Sequence, residues 1–229
     1  MARQPPGDHR GIVAGHGRVG VVTPPPVALV LAGGASRRLG RPKALLEFGD
    51  RSAMRLVLDS LEAAGVRSGA VVTGSDADAT LAVDPAPFAF VRNPNPAAGR
   101  MGSILAGMAL APPAADVVLW PVDRPLASTN TLAALLVARP LPDAEGHAAT
   151  PWVVIPRADG GCGHPVILGA AFCATLHAQP PDASLRTAMA APGVLRVEVP
   201  VADPGIHHNL DTDDAYTRAL AWWEARTTP

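Results

Sequence analysis

The sequence predicts an α/β fold in three layers, a mostly parallel twisted sheet with helices on both faces. Short apolar runs alternate along the chain with segments whose apolar residues recur at helical spacing, as in strands joined by crossover helices. The first run, Val27–Leu31, breaks into Ala-Gly-Gly-Ala-Ser, which is typical of a buried parallel strand that opens into a loop. Hydrophobic residues make up 48% of the 229 residues and charged residues 17%, which is ample for a sizeable core.

The elements follow in the order expected for such a sheet. Strands are predicted at Val27–Leu31, Gly69–Thr73, Phe88–Val91, Val117–Trp120, Trp152–Ile155 and Val194–Val199, with a short extended piece at Ala44–Phe48. Helices are predicted at Ser52–Ala64, Ser103–Ala111, Thr129–Ala138, Ala170–Gln179, Ala183–Ala190 and Thr212–Arg226. In the first helix Met54, Val57, Leu58 and Leu61 recur on one face, and Gly65 follows where a C-terminal cap belongs.

One domain is expected over residues 27–226, with two halves at 27–139 and 140–226. Residues 1–26 end in Thr-Pro-Pro-Pro and hold little that could pack, so they are expected to form a disordered leader. Within them Gly15–Gly20 is a formal G-x-G-x-x-G. A dinucleotide fingerprint needs a strand before it and a helix after it, whereas three prolines follow here, so dinucleotide binding is not expected.

Charge and cysteine content exclude several classes of protein. The net charge of −1 gives no general attraction to nucleic acid or to an anionic membrane. Cys162 and Cys173 support neither a disulfide framework nor a four-ligand zinc site. No apolar run is long enough to span a bilayer, and the N-terminus lacks the apolar core of a signal peptide. A cytoplasmic location is therefore expected.

The loop after the first strand is suited to a polyphosphate. Gly33, Gly34 and Gly40 let backbone approach a ligand closely, and successive N–H groups in such a loop form an anion-binding concavity. Lys43, the only lysine in the chain, and the arginines near it add full charges. The spacing is not that of a Walker A loop. The alternative is an ordinary basic surface loop.

Two aspartates could hold a metal ion near this loop. Asp123 follows the fourth strand, at the same edge of the sheet, where a carboxylate could hold Mg²⁺ against phosphates. The alternative is a turn aspartate that bonds to its own backbone. Asp211 precedes the last helix and could supply a second carboxylate, or it could cap that helix, and the two roles are compatible.

Two further segments contain candidate binding residues. Gly102 and Ser103 in Gly-Arg-Met-Gly-Ser would place N–H groups and a hydroxyl at a helix N-terminus, which suits an anion or a ribose, or Ser103 could simply cap the helix. Gly163 and His164 lie in a glycine-rich loop before a proline, whose backbone could come close to a ligand. His164 could also serve only the structure of its loop.

The segment LAGGASRRLGRPK resembles the signature loop of the MobA-like NTP transferases, L-x-x-G-x-x-x-R-x-G-x-x-K. The match falls on Leu31, Gly34, Arg38, Gly40 and Lys43. Four further markers follow in order: D-x-P and D-T-x-D-x-Y resemble further motifs of the same family, and G-x-M-G-S and G-H-P-V resemble those of its molybdenum cofactor cytidylyltransferase branch. The resemblance covers nearly all of residues 27–220, although cysteine stands at position 162, where that branch has arginine.

The resemblance implies a Rossmann-like, glycosyltransferase-A-like nucleotidyltransferase, which transfers NMP from an NTP to a phosphorylated acceptor. It makes Lys43, Arg38 and Asp123 catalytic, and Asp123 and Asp211 the ligands of Mg²⁺. Gly163 and His164 would contact the acceptor. The nucleotide would be bound by Leu31, Ala32, Gly33, Gly34, Ser36, Gly40, Gly102 and Ser103. The halves at 27–139 and 140–226 would then be the nucleotide-binding half and the acceptor-side half.

Several substrates and partners stay open at this point. The branch similarity favours CTP, with GTP or ATP as alternatives, and molybdopterin as the acceptor. A molybdenum enzyme could be a partner, whereas nucleic acid and membrane are not expected partners. The alternatives are transfer to a sugar phosphate or another small phosphate, or a non-catalytic cofactor-binding maturation partner of a molybdenum enzyme.

Overall fold

The protein is built on a mixed sheet of eight strands. The structure, a computed structural model, describes residues 24–34, 36, 38–74, 80–140, 150–179 and 183–227. The strands of the main sheet are β1 (Val27–Ala32), β4 (Gly69–Thr73), β5 (Ala89–Arg92), β6 (Val117–Pro121), β7 (Trp152–Ala158), β8 (Gly161–Cys162), β9 (Val166–Leu168) and β10 (Leu195–Pro200), and a separate hairpin joins β2 (Glu47–Phe48) to β3 (Arg51–Ser52). The order across the sheet is β10-β7-β9-β6-β1-β4-β5, with β8 paired to β7.

Helices cover both faces of the sheet, as the sequence predicts. They are α1 (Ala53–Ala63), α2 (Gly99–Met108), α3 (Thr129–Val137), α4 (Ala170–Leu176), α5 (Leu185–Met189) and α6 (Asp213–Thr227). Buried residues of α1 and α3 share one apolar cluster with the sheet, and those of α2, α4 and α5 share another on the opposite face. The three-layer α/β architecture is therefore confirmed.

The central strand β1 is buried along its whole length. Val30 pairs in parallel with Val71 of β4 on one side and with Trp120 of β6 on the other. Because side chains alternate across a strand, Val30 enters the cluster under α1 and Leu29 enters the cluster under α2. A strand that is buried on both faces reads as a continuous apolar run, which is how the sequence shows it.

The antiparallel strand β9 is absent from the sequence prediction. It lies between β6 and β7 and runs antiparallel to both, with Val166 opposite Leu119 and Leu168 opposite Val117. Three residues are too few to show a strand period, so only pairing reveals it. Since β9 begins at the edge where β6 ends, the preceding residues Gly163 and His164 come to the carboxyl edge of the sheet.

The last helix closes over the segment that follows the signature loop. The ring of Phe48 packs edge-on against Tyr216 at 5.7 Å and Trp223 at 5.9 Å between centroids. The Tyr216 hydroxyl donates to the carbonyl of Glu47 at 2.6 Å. This third cluster fixes α6 against the β2–β3 hairpin, and with it the position of Asp211 just before the helix.

Most predicted boundaries agree with the structure within a few residues. The extended piece expected at Ala44–Phe48 is corrected, because Lys43–Leu45 forms a 3₁₀ turn and only Glu47–Phe48 is a strand. The turn forms where Leu45 N–H donates to the carbonyl of Pro42. Among the described residues, no helix has the length and apolarity needed to cross a membrane.

Candidate active site

The loop after β1 is folded around Ser36. The Ser36 carbonyl accepts the N–H groups of Leu39 and Gly40 at 2.9 and 3.0 Å, and its hydroxyl accepts the N–H of Lys43 at 3.2 Å. Gly40 has φ +64°, a left-handed conformation that glycine adopts without strain. Ser36 therefore sets the position from which the Lys43 side chain starts.

Backbone packing holds the start of this loop. A Cβ on Gly33 would lie 3.2 Å from the nitrogen of Gly74, at the end of β4, and a Cβ on Gly74 would lie 2.3 Å from the carbonyl oxygen of Gly33. Gly34 meets nothing within 4 Å. The two strand ends therefore touch through backbone, while Gly34 faces open space.

A cavity of about 520 Å³ opens at the carboxyl ends of β1 and β6. Parallel sheets bind their ligands at this edge. Six of the eight residues expected to bind the nucleotide line this cavity, namely Leu31, Ala32, Gly33, Gly34, Ser36 and Ser103. It is also lined by Lys43, Asp123, Pro96, Ala97, Gly99 and Arg100.

Lys43 and the two predicted metal carboxylates meet at this cavity. Lys43 Nζ lies 2.5 Å from Asp211 Oδ1 and 3.6 Å from Asp123 Oδ2. The side chains of Lys43 and Asp123 are 16% and 19% exposed, and that of Asp211 is 38% exposed. One ammonium group thus sits between two carboxylates that come from segments far apart in the sequence.

Backbone hydrogen bonds connect the segments that carry these groups. Val122 N–H donates to the Leu31 carbonyl at 3.0 Å, and Leu210 N–H donates to the Asp123 carbonyl at 2.9 Å. The turn after β6 is fixed further by the Trp120 indole, which donates to the Arg124 carbonyl at 2.9 Å. The signature loop, the turn at Asp123 and the segment before α6 therefore form one connected unit.

The charge balance of the site favours an ionised Asp211. The hydrogen bond from Lys43 lowers the pKa of this carboxyl below its usual value, although burial opposes that shift. The positive charges of Arg38 and Arg124 act in the same direction. Arg38 itself is exposed, so it contributes to the field at the site from its rim.

The donor set fits a hard divalent cation. Both carboxylates reach the position of a single cationic group, the Lys43 ammonium. Mg²⁺ is typically held by one or two carboxylates together with substrate phosphates and water. No cluster of three or more His, Cys, Asp or Glu side chains suited to a metal occurs in the part of the chain that the structure describes. Among the described residues, Asp123 and Asp211 are the carboxylates that meet at Lys43.

The helix α2 begins at Gly99, earlier than the sequence predicts, so Gly102 and Ser103 are its fourth and fifth residues and Ser103 does not cap it. Ser103 lines the cavity, and its hydroxyl accepts a hydrogen bond from the Asn93 side chain at 3.0 Å. The Asn93 side-chain oxygen in turn accepts the N–H of Asn95 at 2.9 Å. Gly102 does not line the cavity; a Cβ there would meet the Cβ of Ala98 at 2.7 Å.

His164 lies beside the site and outside the cavity lining. The pKa of its imidazole is lowered to about 3, mainly by burial and also by the charges of Arg124 and Arg100, while a hydrogen bond with the Leu119 backbone opposes the shift. The ring is therefore neutral near pH 7, and it is too weakly basic for a general base. Gly163 packs against Ile206.

Two arginines near the site were not among the predicted site residues. Arg124 donates to the His207 carbonyl at 3.3 Å, and Arg100 lines the cavity. Their sequence signals are weak, because each is a single basic residue in a loop or at a helix start. Gly40 and Arg38, by contrast, were predicted but lie outside the described cavity lining.

These features together define an α/β protein with a charged ligand crevice at the carboxyl edge of a mostly parallel sheet. The MobA-like NTP transferase domain matches residues 28–197. The chain therefore belongs to the MobA-like NTP transferase family.

Curated relatives match part of the chain. Nicotine blue oxidoreductase of Paenarthrobacter nicotinovorans is 34% identical over 112 residues, covering 48% of this chain and 55% of that protein. Molybdenum cofactor guanylyltransferase of Rhizobium meliloti (strain 1021) is 34% identical over 117 residues, covering 49% and 52%. The chain thus spans about half the length of the curated relatives it matches.

Solved structures show the same fold over most of the chain. Rv0371c from Mycobacterium tuberculosis H37Rv superposes with a TM-score of 0.71 at 25% identity, covering 87% of this chain and 100% of that one. The structure of Rv0371c in complex with manganese gives a TM-score of 0.63 at 24% identity, covering 85% and 97%.

Proposed function

We propose that this protein is a nucleotidyltransferase that transfers NMP from an NTP to a phosphorylated acceptor and releases pyrophosphate. The observation that carries the proposal is the meeting of Lys43, Asp123 and Asp211 beside the glycine loop of the cavity. Because the two curated relatives bear the names of different reactions, the proposal rests on this geometry and on family membership.

In the proposed reaction an oxygen of the acceptor phosphate forms a bond to the α-phosphorus of the NTP. The bond from the α-phosphorus to the oxygen that bridges to the β-phosphate breaks, and pyrophosphate leaves with the electron pair. Such a reaction needs positioning and charge neutralisation more than it needs a protein base. The weakly basic His164 suits that requirement.

Each part of the site has a role in this reaction. Backbone N–H groups of Gly33, Gly34 and Ser36 bind the triphosphate, and Ser103 binds the nucleoside end. Lys43 turns from the carboxylates to the phosphates and stabilises the charge that develops on them. The charge of Arg38 adds to this stabilisation from the rim.

Asp123 and Asp211 would hold a divalent cation, for which Mg²⁺ is the candidate. When bound, the cation would orient the α-phosphate and neutralise charge in the transition state. The two carboxylates lie within reach of one cationic position, which supports this assignment. The manganese complex of Rv0371c supports a divalent ion at this fold.

The acceptor proposed here is molybdopterin. Its support is the branch similarity of the loop at Gly163 and His164 and the name of the guanylyltransferase relative. In this assignment residues 27–139 form the nucleotide-binding half and residues 140–226 the acceptor-side half. The product would serve a molybdenum enzyme, which is the proposed partner.

Thermal stabilisation by CTP, GTP, ATP and UTP with Mg²⁺ tests the nucleotide site. A ligand at 100 times its dissociation constant adds about 2.7 kcal/mol to the free energy of unfolding. We expect one nucleotide to stabilise the wild type. In Asp123→Ala, the part of this stabilisation that depends on Mg²⁺ should be lost. The branch similarity favours CTP, whereas the guanylyltransferase relative favours GTP, so the same experiment selects the base.

Pyrophosphate release then separates the enzyme from a binding protein. We expect release that depends on both the selected NTP and molybdopterin. Release with a sugar phosphate in place of molybdopterin would identify the other acceptor class. Nucleotide binding without release from any acceptor would contradict the enzymatic proposal and favour the non-catalytic maturation partner.

A further inference from the structure

A second groove continues from the cavity towards the C-terminal half of the chain. It has a volume of about 820 Å³ and lies between the first turns of α2 and α5. Its lining residues are Ala97, Ala98, Gly99, Arg100, Met101, Ala183, Ser184, Leu185 and Arg186. Ala97, Gly99 and Arg100 also line the cavity, so the two spaces form one continuous surface.

The groove is lined by two arginines and by no acidic residue among those described. Neither Arg100 nor Arg186 forms an ion pair with another residue that the structure describes. The charge of Arg100 is felt as far as His164, where it contributes to the lowered pKa. An arginine that lacks a carboxylate partner can offer its planar fork of donors to an anionic ligand.

The position of the groove indicates which substrate enters it. The triphosphate is proposed to lie at the loop, close to Lys43 and Asp123, so the acceptor phosphate must approach from the open side of the cavity. The body of the acceptor then has to extend away from the reacting phosphorus. The groove continues from the cavity at Arg100, and α5, which supplies Arg186, belongs to the half of the chain proposed for the acceptor.

Building on the proposed function, we propose that this groove binds the body of the acceptor, and that Arg100 and Arg186 together hold an anionic group of the acceptor distinct from its reacting phosphate. The acceptor class is therefore a phosphorylated small molecule with a second anionic group, such as a phosphate, a carboxylate or a pair of thiolates. The small residues that line the groove together with the arginines, Ala97, Gly99 and Ala183, leave room for its body.

Arg186→Gln tests the groove separately from the cavity, because Arg186 lines only the groove. With molybdopterin as acceptor and pyrophosphate release as readout, we expect its KM for molybdopterin to rise on the order of tenfold, since one charged hydrogen-bonding contact is lost. The KM for the NTP and the thermal shift with NTP and Mg²⁺ should stay at the wild-type values. Arg186→Lys keeps the charge but loses the planar guanidinium, so its KM for molybdopterin should fall between those of the wild type and Arg186→Gln.

The control removes a similar charge elsewhere. Arg67 is exposed before the amino end of β4, at the opposite edge of the sheet, so Arg67→Gln should leave both KM values unchanged. An Arg186→Gln enzyme with a wild-type KM for molybdopterin would overturn the inference while leaving the proposed function standing.

A binding measurement covers the case in which the wild type shows no turnover with molybdopterin, which would count against the proposed acceptor. Calorimetric titration with inorganic pyrophosphate should give one site at the loop and a second in the groove. We expect Arg186→Gln to lose the second site and Arg67→Gln to keep both. Equal binding of pyrophosphate by wild type and Arg186→Gln would overturn the inference.

Discussion

Removal of the Lys43 ammonium should make the site a better metal site and a worse enzyme. In the structure this ammonium occupies the position between Asp211 and Asp123 that a divalent cation would share, 2.5 and 3.6 Å from their oxygens. A metal ion must therefore displace Lys43 before it can bind both carboxylates. Lys43→Ala removes that competitor and leaves two carboxylates that repel each other until a cation binds.

The magnitude follows from the two contacts. A charge-assisted hydrogen bond such as that to Asp211 contributes about 1.5–3 kcal/mol. The pair with Asp123 is more buried, but its separation of 3.6 Å is too long for a hydrogen bond, so it adds less than the contact with Asp211. Since Asp211 is 38% exposed, solvent screening favours the lower end, about 1.5 kcal/mol in total. Metal affinity in the absence of nucleotide should then rise about tenfold.

Titration with Mn²⁺, followed by electron paramagnetic resonance, measures this affinity directly. Lys43→Arg, which keeps the charge, should bind Mn²⁺ no more tightly than the wild type. The double variant Lys43→Ala, Asp123→Ala should lose the increase in Mn²⁺ affinity that Lys43→Ala alone produces. Turnover should move in the opposite direction, with kcat of Lys43→Ala reduced on the order of 10²-fold. Unchanged Mn²⁺ affinity in Lys43→Ala would refute the competition, and unchanged turnover would refute the catalytic role.

Three further predictions concern stability. The lowered pKa of Asp211 means that its contribution to the free energy of unfolding is complete above the usual carboxyl value of 3.8 and is lost as pH falls through the lower folded value. The stability difference between wild type and Asp211→Asn, measured by urea unfolding, should therefore shrink only below about pH 4. A difference already lost at pH 6 would contradict the assignment. His164 has a folded pKa of about 3 against an ordinary value of 6.5, so below pH 6.5 the unfolded chain binds a proton that the folded protein excludes. The wild type should therefore lose about 1.4 kcal/mol of unfolding free energy per pH unit below 6.5, a loss that His164→Gln avoids. Parallel pH profiles of the two proteins would show that the folded ring keeps its ordinary pKa. Gly74→Ala places a Cβ 2.3 Å from the Gly33 carbonyl oxygen, whereas the Cβ of its control, Gly34→Ala, meets nothing within 4 Å. Denaturant unfolding should therefore show a loss of about 1–3 kcal/mol for Gly74→Ala and little change for Gly34→Ala. Equal stability of the two variants would mean that the strand ends separate easily.

Local patterns were sufficient for most of the fold. The apolar run of β1 predicts a strand that is buried on both faces, and the stripe that includes Met54 and Leu58 predicts the buried face of α1. The bounds of β4 are also as predicted. These features are local, because burial on both faces and helical spacing are properties of a few adjacent residues.

The strand order could not be read in the same way. β9 has three residues, and its antiparallel pairing between β6 and β7 depends on residues far away in the chain. The packing of Phe48 against Tyr216 and Trp223 likewise joins the hairpin after the signature loop to the last helix, which are far apart in the sequence. No short sequence window contains both partners of such a contact.

The same distinction between local and long-range features applies to the site. The sequence by itself determined which residues are candidates for the chemistry, because glycines, a single lysine and two aspartates stand out by type and by spacing. Only the tertiary structure decided that the Lys43 ammonium lies between the two carboxylates and that the cavity continues past Arg100 to Arg186. Those relations depend on strand order and on the docking of α5 and α6, which arise from the packing of distant segments.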